Sequence, residues 1–277
     1  MKNDALKNIL NFLNEQRGFD FTGYRTAMLE RRIQKRLYTI KIQNIDDYLN
    51  LLHEDPDELD SLIDIFTINV SRFFRNSLSF EHIRKTIIPE LFLNKIKAND
   101  QHLRIWSAGC SFGEEPYSVA IMINEFVEKE KMSMNLSIFA TDIDKKALKR
   151  ASEGSYTAHS IKNVKYGLIQ KYFTFKNDHF EIDPKIKNMV RFSFYDMLDK
   201  HHSVPAESIY GGFDLVLCRN VLIYFELEHQ NLIFNKLYKS LNPNGYLILG
   251  EAEVPIEGFK HKFNRVNNCC KIYRKNG

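Results

Sequence analysis

With 277 residues, the chain has room for one large domain or for a catalytic domain with a smaller one attached. Its 44% hydrophobic and 27% charged residues are ordinary for a soluble globular protein with ample core. A formal charge of +4 is too small to imply nucleic acid by itself, so where the charge lies matters more than its sum. The start, "MKNDALKNIL", lacks the apolar core of a signal peptide, and no apolar run reaches about 18 residues, so a cytoplasmic protein without membrane insertion is expected.

Residues 1 to about 85 read as a helical domain. In "YRTAMLERRIQKRLYTI" the apolar positions Leu29, Ile33, Leu37 and Ile40 form one helical stripe. Around it lie Arg25, Arg31, Arg32, Lys35 and Arg36. Residues 42–64 reverse the sign, carrying Asp46, Asp47, Glu54, Asp55, Asp57, Glu58, Asp60 and Asp64 without Lys or Arg. Such segregation points to a docking surface for an acidic partner rather than a merely solvated helix face.

From about residue 100 short β runs alternate with helical runs, the pattern of a parallel α/β sheet. Strands are expected at 103–108, 136–140, 190–194, 213–218 and 246–250, with helices at 117–129, 145–152 and 226–241. The last helix should stop at the turn "NPNG". The end, "KFNRVNNCCKIYRK", reads as a closing antiparallel hairpin. Residues 155–188 interrupt the alternation: "TFKND" and "HFEI" read as a hairpin turning at Asn177 and Asp178, a small antiparallel insertion. Cys110, Cys218, Cys269 and Cys270 show no zinc spacing, and the histidines, including His201 and His202, suggest no metal.

The chemistry concentrates in "RIWSAGCSFGEEPYS", residues 104–118, where a strand runs into a glycine loop and then a helix. Gly109 and Gly113 suit close backbone approach to a ligand at the carboxyl end of a strand, although G-x-x-x-G is not the dinucleotide fingerprint. The second strand ends in "ATDID", offering Asp142 or Asp144 to ribose hydroxyls, and Asp196 follows the third strand where an adenine amino group would lie. A pyrophosphate would be repelled by Glu114 and Glu115. A sulfonium with an ammonium group, as in S-adenosylmethionine, would be favoured, and the glutamates also suit a helix start entered through Pro116. After the fourth strand comes "LCRNVLIYF", placing Arg219, Asn220 and Tyr224 near the expected methyl group. The two prolines common in enzymes that methylate base amines are absent, which favours chemistry on oxygen.

These residues resemble the chemotaxis receptor methyltransferases (CheR type), which methylate glutamate side chains of bacterial chemoreceptors using S-adenosylmethionine. The matching pieces are "NVSRFFRN" (69–76), "WSAGCSFGEEPYS" (106–118), "ATDID" (140–144), "FDLVLCRNVLIYF" (213–225) and "LNPNGYLILGEAE" (241–253), in family order and over essentially the whole chain. The resemblance implies a Rossmann-like methyltransferase sheet in an α/β domain (86–277), a helical N-terminal receptor-docking domain (1–85) and a small antiparallel β insertion (155–188). It implies that Asn69, Ser71 and Arg75 help close the cofactor site, Ser71 standing where Thr is frequent. Gly109 would lie at the cofactor, Glu115 at its methionine part, Asp142 at the ribose, and Asp196 with Met197 at the adenine. Arg219 and Asn220 would line the pocket, with Tyr224 near the methyl. Arg25, Arg32 and Arg36 would face the cytoplasmic helical region of the receptors. Some members also grip a receptor-tail peptide with a longer, glycine-containing loop in the insertion; the short "KNDH" turn argues against such tethering here.

A glutamate carboxylate is already ionised at pH 7 and S-adenosylhomocysteine leaves as a neutral thioether, so a protein-glutamate O-methyltransferase needs no general base. Arg75 is the candidate for holding a carboxylate, either the substrate's or the cofactor's, and Tyr224 for orienting one oxygen. Two rivals are a nucleic-acid methyltransferase, which would use the basic helix for phosphates, and a non-catalytic S-adenosylmethionine sensor, which would not need Arg75 or Tyr224.

Overall fold

The computed structural model describes residues 3–208 and 212–277. Its contacts divide the chain into a helical unit, reaching to Ile68 and including Tyr224–Gln230, and a larger unit of Asn69–Ile223 with Asn231–Gly277.

The helical unit is built from α1 (Asn3–Arg17), α2 (Thr26–Ile40), α3 (Ile45–Glu54) and α4 (Pro56–Phe66). Much of the acidic run serves helix starts. Asn44 caps α3 by accepting from the Asp47 amide, and Asp55 caps α4 by accepting from the Asp57 and Glu58 amides. Asp46, Asp47, Asp57 and Glu58 stand in first turns, where carboxylates offset the partial positive charge of the helix end. Of the stripe on α2, Leu29 and Ile33 are buried, while Leu37 and Ile40 are half-buried. Tyr224–Gln230 joins this unit through backbone pairing. Tyr24 and Phe225 form an antiparallel bridge, the Arg25 amide donates to the Tyr224 carbonyl at 2.8 Å, and the Glu226 amide donates to Gly23 at 3.0 Å.

In the larger unit, α5 (Ser77–His82) and α6 (Ile88–Lys97) are joined by a π-helical turn, Ile83–Ile87. Pro89 accounts for the wide turn: in a regular helix its ring would meet the carbonyl four residues back, at Lys85. A boundary near residue 85 is the expectation from sequence, but the contacts divide the chain after Ile68. Phe73, Phe80, Ile83 and Ile87 enter one core with Leu103, Ile105 and Leu215 of the sheet, which assigns "NVSRFFRN" and the following helix to the larger unit.

The strands are β1 (His102–Ala108), β2 (Asn135–Asp142), β3 (Ser155–Tyr156), β4 (Phe173–Lys176), β5 (His179–Ile182), β6 (Val190–Phe194), β7 (Phe213–Cys218), β8 (Leu241–Leu249), β9 (Phe263–Arg265) and β10 (Ile272–Lys275). Seven form one sheet in the order β6-β2-β1-β7-β8-β10-β9, parallel from β6 to β8 and antiparallel at β10 and β9. Around the strands lie α7 (Glu114–Glu130), α8 (Lys145–Glu153), α9 (Ala158–Ile161), α10 (Tyr166–Tyr172), α11 (Pro184–Lys187), α12 (Leu227–Ser240) and α13 (Glu257–Lys260). β7 is buried at all six positions, as a central strand covered on both faces must be. Trp106, fully buried, ties β1 to β2 by donating from Nε1 to Thr141 Oγ1 at 2.9 Å.

Two details refine the sequence expectation. The "NPNG" turn does not precede the last parallel strand but lies inside it. Phe213 pairs with Leu241 and Leu215 with Tyr246, so the intervening residues bulge outward, with Asn244 at φ 61°. The insertion has three strands, ordered β3-β5-β4, with Asn177 and Asp178 both at positive φ in the turn between β4 and β5.

Candidate active site

The carboxyl ends of β1, β2, β6 and β7 bring the chemistry-bearing residues of the larger unit together. At the end of β1 the chain turns sharply. Gly109 sits at φ +73°, and its amide and that of Cys110 both donate to the Thr141 carbonyl, at 2.8 and 2.9 Å. A Cβ on Gly109 would clash with Val221 Cγ2, so glycine is required both by conformation and by the loop packed against it.

Asp142, at the end of β2, accepts from the Ser111 amide on Oδ2 (2.8 Å) and from the Asp144 amide on Oδ1 (3.0 Å). It remains half-buried, and an ionised carboxylate has about four acceptor sites, so it retains capacity for hydroxyl donors. Burial pushes its carboxyl up, against the pull of those amides. Asp144, the other acid offered by the sequence, is engaged differently. It is buried and caps α8 by accepting from the Lys146 and Ala147 amides, and it also takes Asn69 Nδ2 at 2.6 Å. Asp142 therefore keeps acceptor capacity that Asp144 has spent, and Asn69 reaches this corner through Asp144. Past β6, the Tyr195 amide donates to the Asp142 carbonyl, Asp196 Oδ1 accepts from the Leu198 amide at 2.8 Å, and Met197 is buried.

The glutamates behave differently from a free acidic pair. Glu115 accepts from Ser107 Oγ on Oε1 (2.8 Å) and forms a buried ion pair with Arg219 on Oε2 (2.9 Å). Arg219 also donates to the Arg75 carbonyl and to Asn76 Oδ1, at 2.9 and 2.8 Å, and lies over the Phe80 ring. The charge of Glu115 is thus offset within the protein. Glu114 makes no such ion pair among the described residues: it is 1% exposed, and its Oε2 has no hydrogen-bond partner there. Burial pushes its carboxyl up, while the neighbouring Ser71 and Ser160 hydroxyls and the charge of Arg150 pull the other way.

Arg75 donates from Nη1 to the Val70 carbonyl at 2.7 Å, closing the 69–76 loop on itself. Asn220 adopts φ 59°, and its amide donates to Glu253 Oε2 at 2.8 Å. Glu253, at the end of the fifth matching motif, is a buried residue to which sequence reasoning gave no role. Its only signal was its place in "LGEAE" one turn beyond a strand end.

The remaining candidates, Tyr224 and the three docking arginines, belong to the helical unit. Arg25 is exposed, with Nε donating to the Phe225 carbonyl at 3.2 Å. Arg32 donates to the Ile65 carbonyl near the end of α4, and burial lowers its guanidinium. Arg36 pairs with the buried Glu58, which also accepts from Tyr48 Oη at 2.7 Å. Arg32 and Arg36 are thus committed inside the unit, whereas Arg31 and Lys35 on the same helix are exposed. Arg31, Arg32, Lys35, Arg36, Thr39 and Ile65 line a groove of about 470 Å³.

Residues 69–271 match the family described as CheR methyltransferase, SAM binding domain, and residues 4–67 match CheR methyltransferase, all-alpha domain. A chemotaxis protein methyltransferase of Borreliella burgdorferi is 32% identical over 93% of this chain and 90% of its own length. One from Listeria innocua is 34% identical over 91% of this chain and 90% of its own. Among solved structures, the N-methyltransferase NodS from Bradyrhizobium japonicum in complex with S-adenosyl-L-homocysteine is similar over 72% of this chain and 88% of that one, at 15% identity and a TM-score of 0.40.

The donor set fits S-adenosylmethionine. Asp142 has spare acceptor capacity for ribose hydroxyls, and the Gly109 turn, where a Cβ would strike Val221, keeps the backbone bare of a side chain. No described helix is long and apolar enough to cross a membrane, and the described residues include no cluster of metal-ligating side chains.

Proposed function

Because this chain belongs to the CheR methyltransferase family, whose larger domain binds S-adenosylmethionine, we propose that it methylates glutamate side chains of bacterial chemoreceptors. The product would be a methyl ester, serving chemotaxis. The carrying observation is the corner where Asp142, with unused acceptor capacity, faces a glycine turn too tight for any side chain. Relatives named chemotaxis protein methyltransferase support placing the methyl transfer in chemotaxis.

The bound cofactor supplies an electrophilic methyl group on a sulfonium. Asp142 would accept the ribose hydroxyls, Asp196 and Met197 would flank the adenine, and Asn69, Ser71, Gly109, Glu115, Arg219 and Asn220 would complete the cradle. The acceptor carboxylate is ionised at pH 7, so these residues need no proton from it, and their contribution is alignment. Well-oriented reactants gain about 7–11 kcal/mol in effective concentration. Arg75 is assigned the incoming carboxylate: among the described residues its guanidinium is held by a single exposed carbonyl contact, and it is half-exposed on a loop of the same unit.

For docking, the exposed cations on α2 and before it, Arg25, Arg31 and Lys35, are the groups available to an acidic receptor helix, with Arg32 and Arg36 lining the groove they border. A transfer assay with labelled S-adenosylmethionine tests the proposal, using receptor cytoplasmic fragments and RNA as alternative acceptors. Incorporation into receptor that mild base releases as methanol is the expected result. Base-stable label, or label in RNA only, would overturn it.

A further inference from the structure

Glu253 is 4% exposed, and its two oxygens collect five backbone amides. Oε2 accepts from Asn220 (2.8 Å) and Gly250 (2.6 Å), and Oε1 from Val221 (2.9 Å), Leu222 (2.8 Å) and Ile223 (3.3 Å). Four of the five donors belong to the segment that leaves β7. A carboxylate is the one side-chain group that accepts on both atoms and donates on neither, so no other residue of this size could serve all five. Burial pushes the Glu253 carboxyl up and the amides pull it down.

Pairing of β7 with β8 does not need this contact. Their ladder already ends in register at Cys218 and Leu249, and every Glu253 bond goes to residues beyond it. What the contact holds is the Asn220 turn, strained at φ 59°, and Val221, whose Cγ2 abuts the Gly109 cradle. Gly250 completes the arrangement: a Cβ there would lie 2.7 Å from Glu253 Oε2 and 2.8 Å from the Asn220 nitrogen.

On the reading that this corner holds S-adenosylmethionine, we propose that Glu253 is a positioning residue for the cofactor site. It acts by clamping the 220–223 segment against the glycine turn, without touching the ligand itself. Glu253→Gln replaces an acceptor by an NH₂ group facing amide donors, and Gly250→Ala dislodges the same clamp while leaving the carboxylate in place.

The test is calorimetric titration of the full chain with S-adenosylhomocysteine at 25 °C, alongside circular dichroism and thermal denaturation. Ile105→Val, a core change away from the clamp, serves as the stability control. Unsatisfied buried amides of this kind predict a Kd raised about tenfold in each clamp variant, with the double variant no worse than the more impaired single one. The control should lose thermal stability with an unchanged Kd. If Glu253→Gln does not fold, Gly250→Ala decides alone. Kd values within twofold of wild type in folded variants would overturn the clamp while leaving the cofactor reading intact. Failure of the wild-type chain to take up the ligand would overturn both.

Discussion

The Arg219–Glu115 pair offers a quantitative test of how the site is held. The two side chains are 2% and 12% exposed, so neither charge is hydrated enough to stand alone. Replacing Arg219 with Met keeps the volume and removes the cation, stranding Glu115 beside Ser107 and leaving the Arg75 carbonyl and Asn76 Oδ1 without their donor. Breaking a buried pair in this way costs about 3–5 kcal/mol. For a domain of this size each kcal/mol lowers Tm by about 2–4 °C, so the drop should fall between roughly 6 and 20 °C. Glu115→Gln strands the Arg219 cation in turn and should cost about 3 kcal/mol, the low end of that range, because Arg219 keeps its two neutral acceptors and the Phe80 ring. The double variant removes both charges and should recover about 2 kcal/mol relative to Arg219→Met alone. Thermal and urea denaturation of the three variants measure these quantities. A loss below about 1 kcal/mol for Arg219→Met, or strict additivity in the double variant, would refute the claim that the pair is a buried structural unit.

Gly109→Ala forces a side chain into positive φ and onto Val221, and should cost about 1–3 kcal/mol while weakening S-adenosylhomocysteine binding in calorimetry; unchanged affinity would mean that the turn does not border the ligand. On the helical unit, Arg36→Met strands Glu58 and should destabilise by about 3 kcal/mol in urea, whereas Arg31→Glu with Lys35→Glu should leave stability within about 0.5 kcal/mol and reduce methyl transfer to receptor fragments most strongly at low salt. Acid stability probes the insertion. Lys171 first, then Lys185 and Asn124, hold Glu128 at about 2, below its ordinary 4.5, so its contribution is complete above about 4.5 and fades as pH falls toward 2. In Lys171→Met that fade should be shallower; parallel stability–pH slopes for the two proteins would refute the assignment. Because Glu128 is partly exposed, the effect should be small and should shrink with added salt.

The parallel sheet was legible in sequence because its strands are short β-branched and aromatic runs ending at glycine, aspartate or a polar turn. Val190–Phe194 and Phe213–Cys218 coincide with the expected spans. The hairpin at Asn177 and Asp178 was legible for a similarly local reason, since both residues tolerate the left-handed conformation the turn demands. Where sequence and structure part, the deciding contacts are distant in the chain. "NPNG" has every local property of a turn, yet Leu241 before it still pairs with Phe213 and draws the motif into a strand as a bulge. The segment after Ile68 looks like a continuation of the helical region. Only its burial of Phe73 and Phe80 against the sheet core assigns it to the other unit.

Charge was the least legible property of the site, because a sequence shows which residues carry charge but not which charges are already neutralised. Glu114 and Glu115 are adjacent and chemically identical, yet one is spent on Arg219, 104 residues away, while the other keeps an oxygen without a partner among the described residues. Asp142 and Asp144 divide in the same manner, the second being consumed by a helix cap and by Asn69. On α2, the arginines at helical positions facing α4 are taken up by Ile65 and Glu58, which leaves their exposed neighbours to meet a partner. In these pairs the residue tied internally sets geometry, whereas on the proposed reading Asp142 and the exposed cations of α2 are the groups that meet a ligand or partner. Substitutions of the first kind should therefore register in denaturation, and those of the second in binding at unchanged stability.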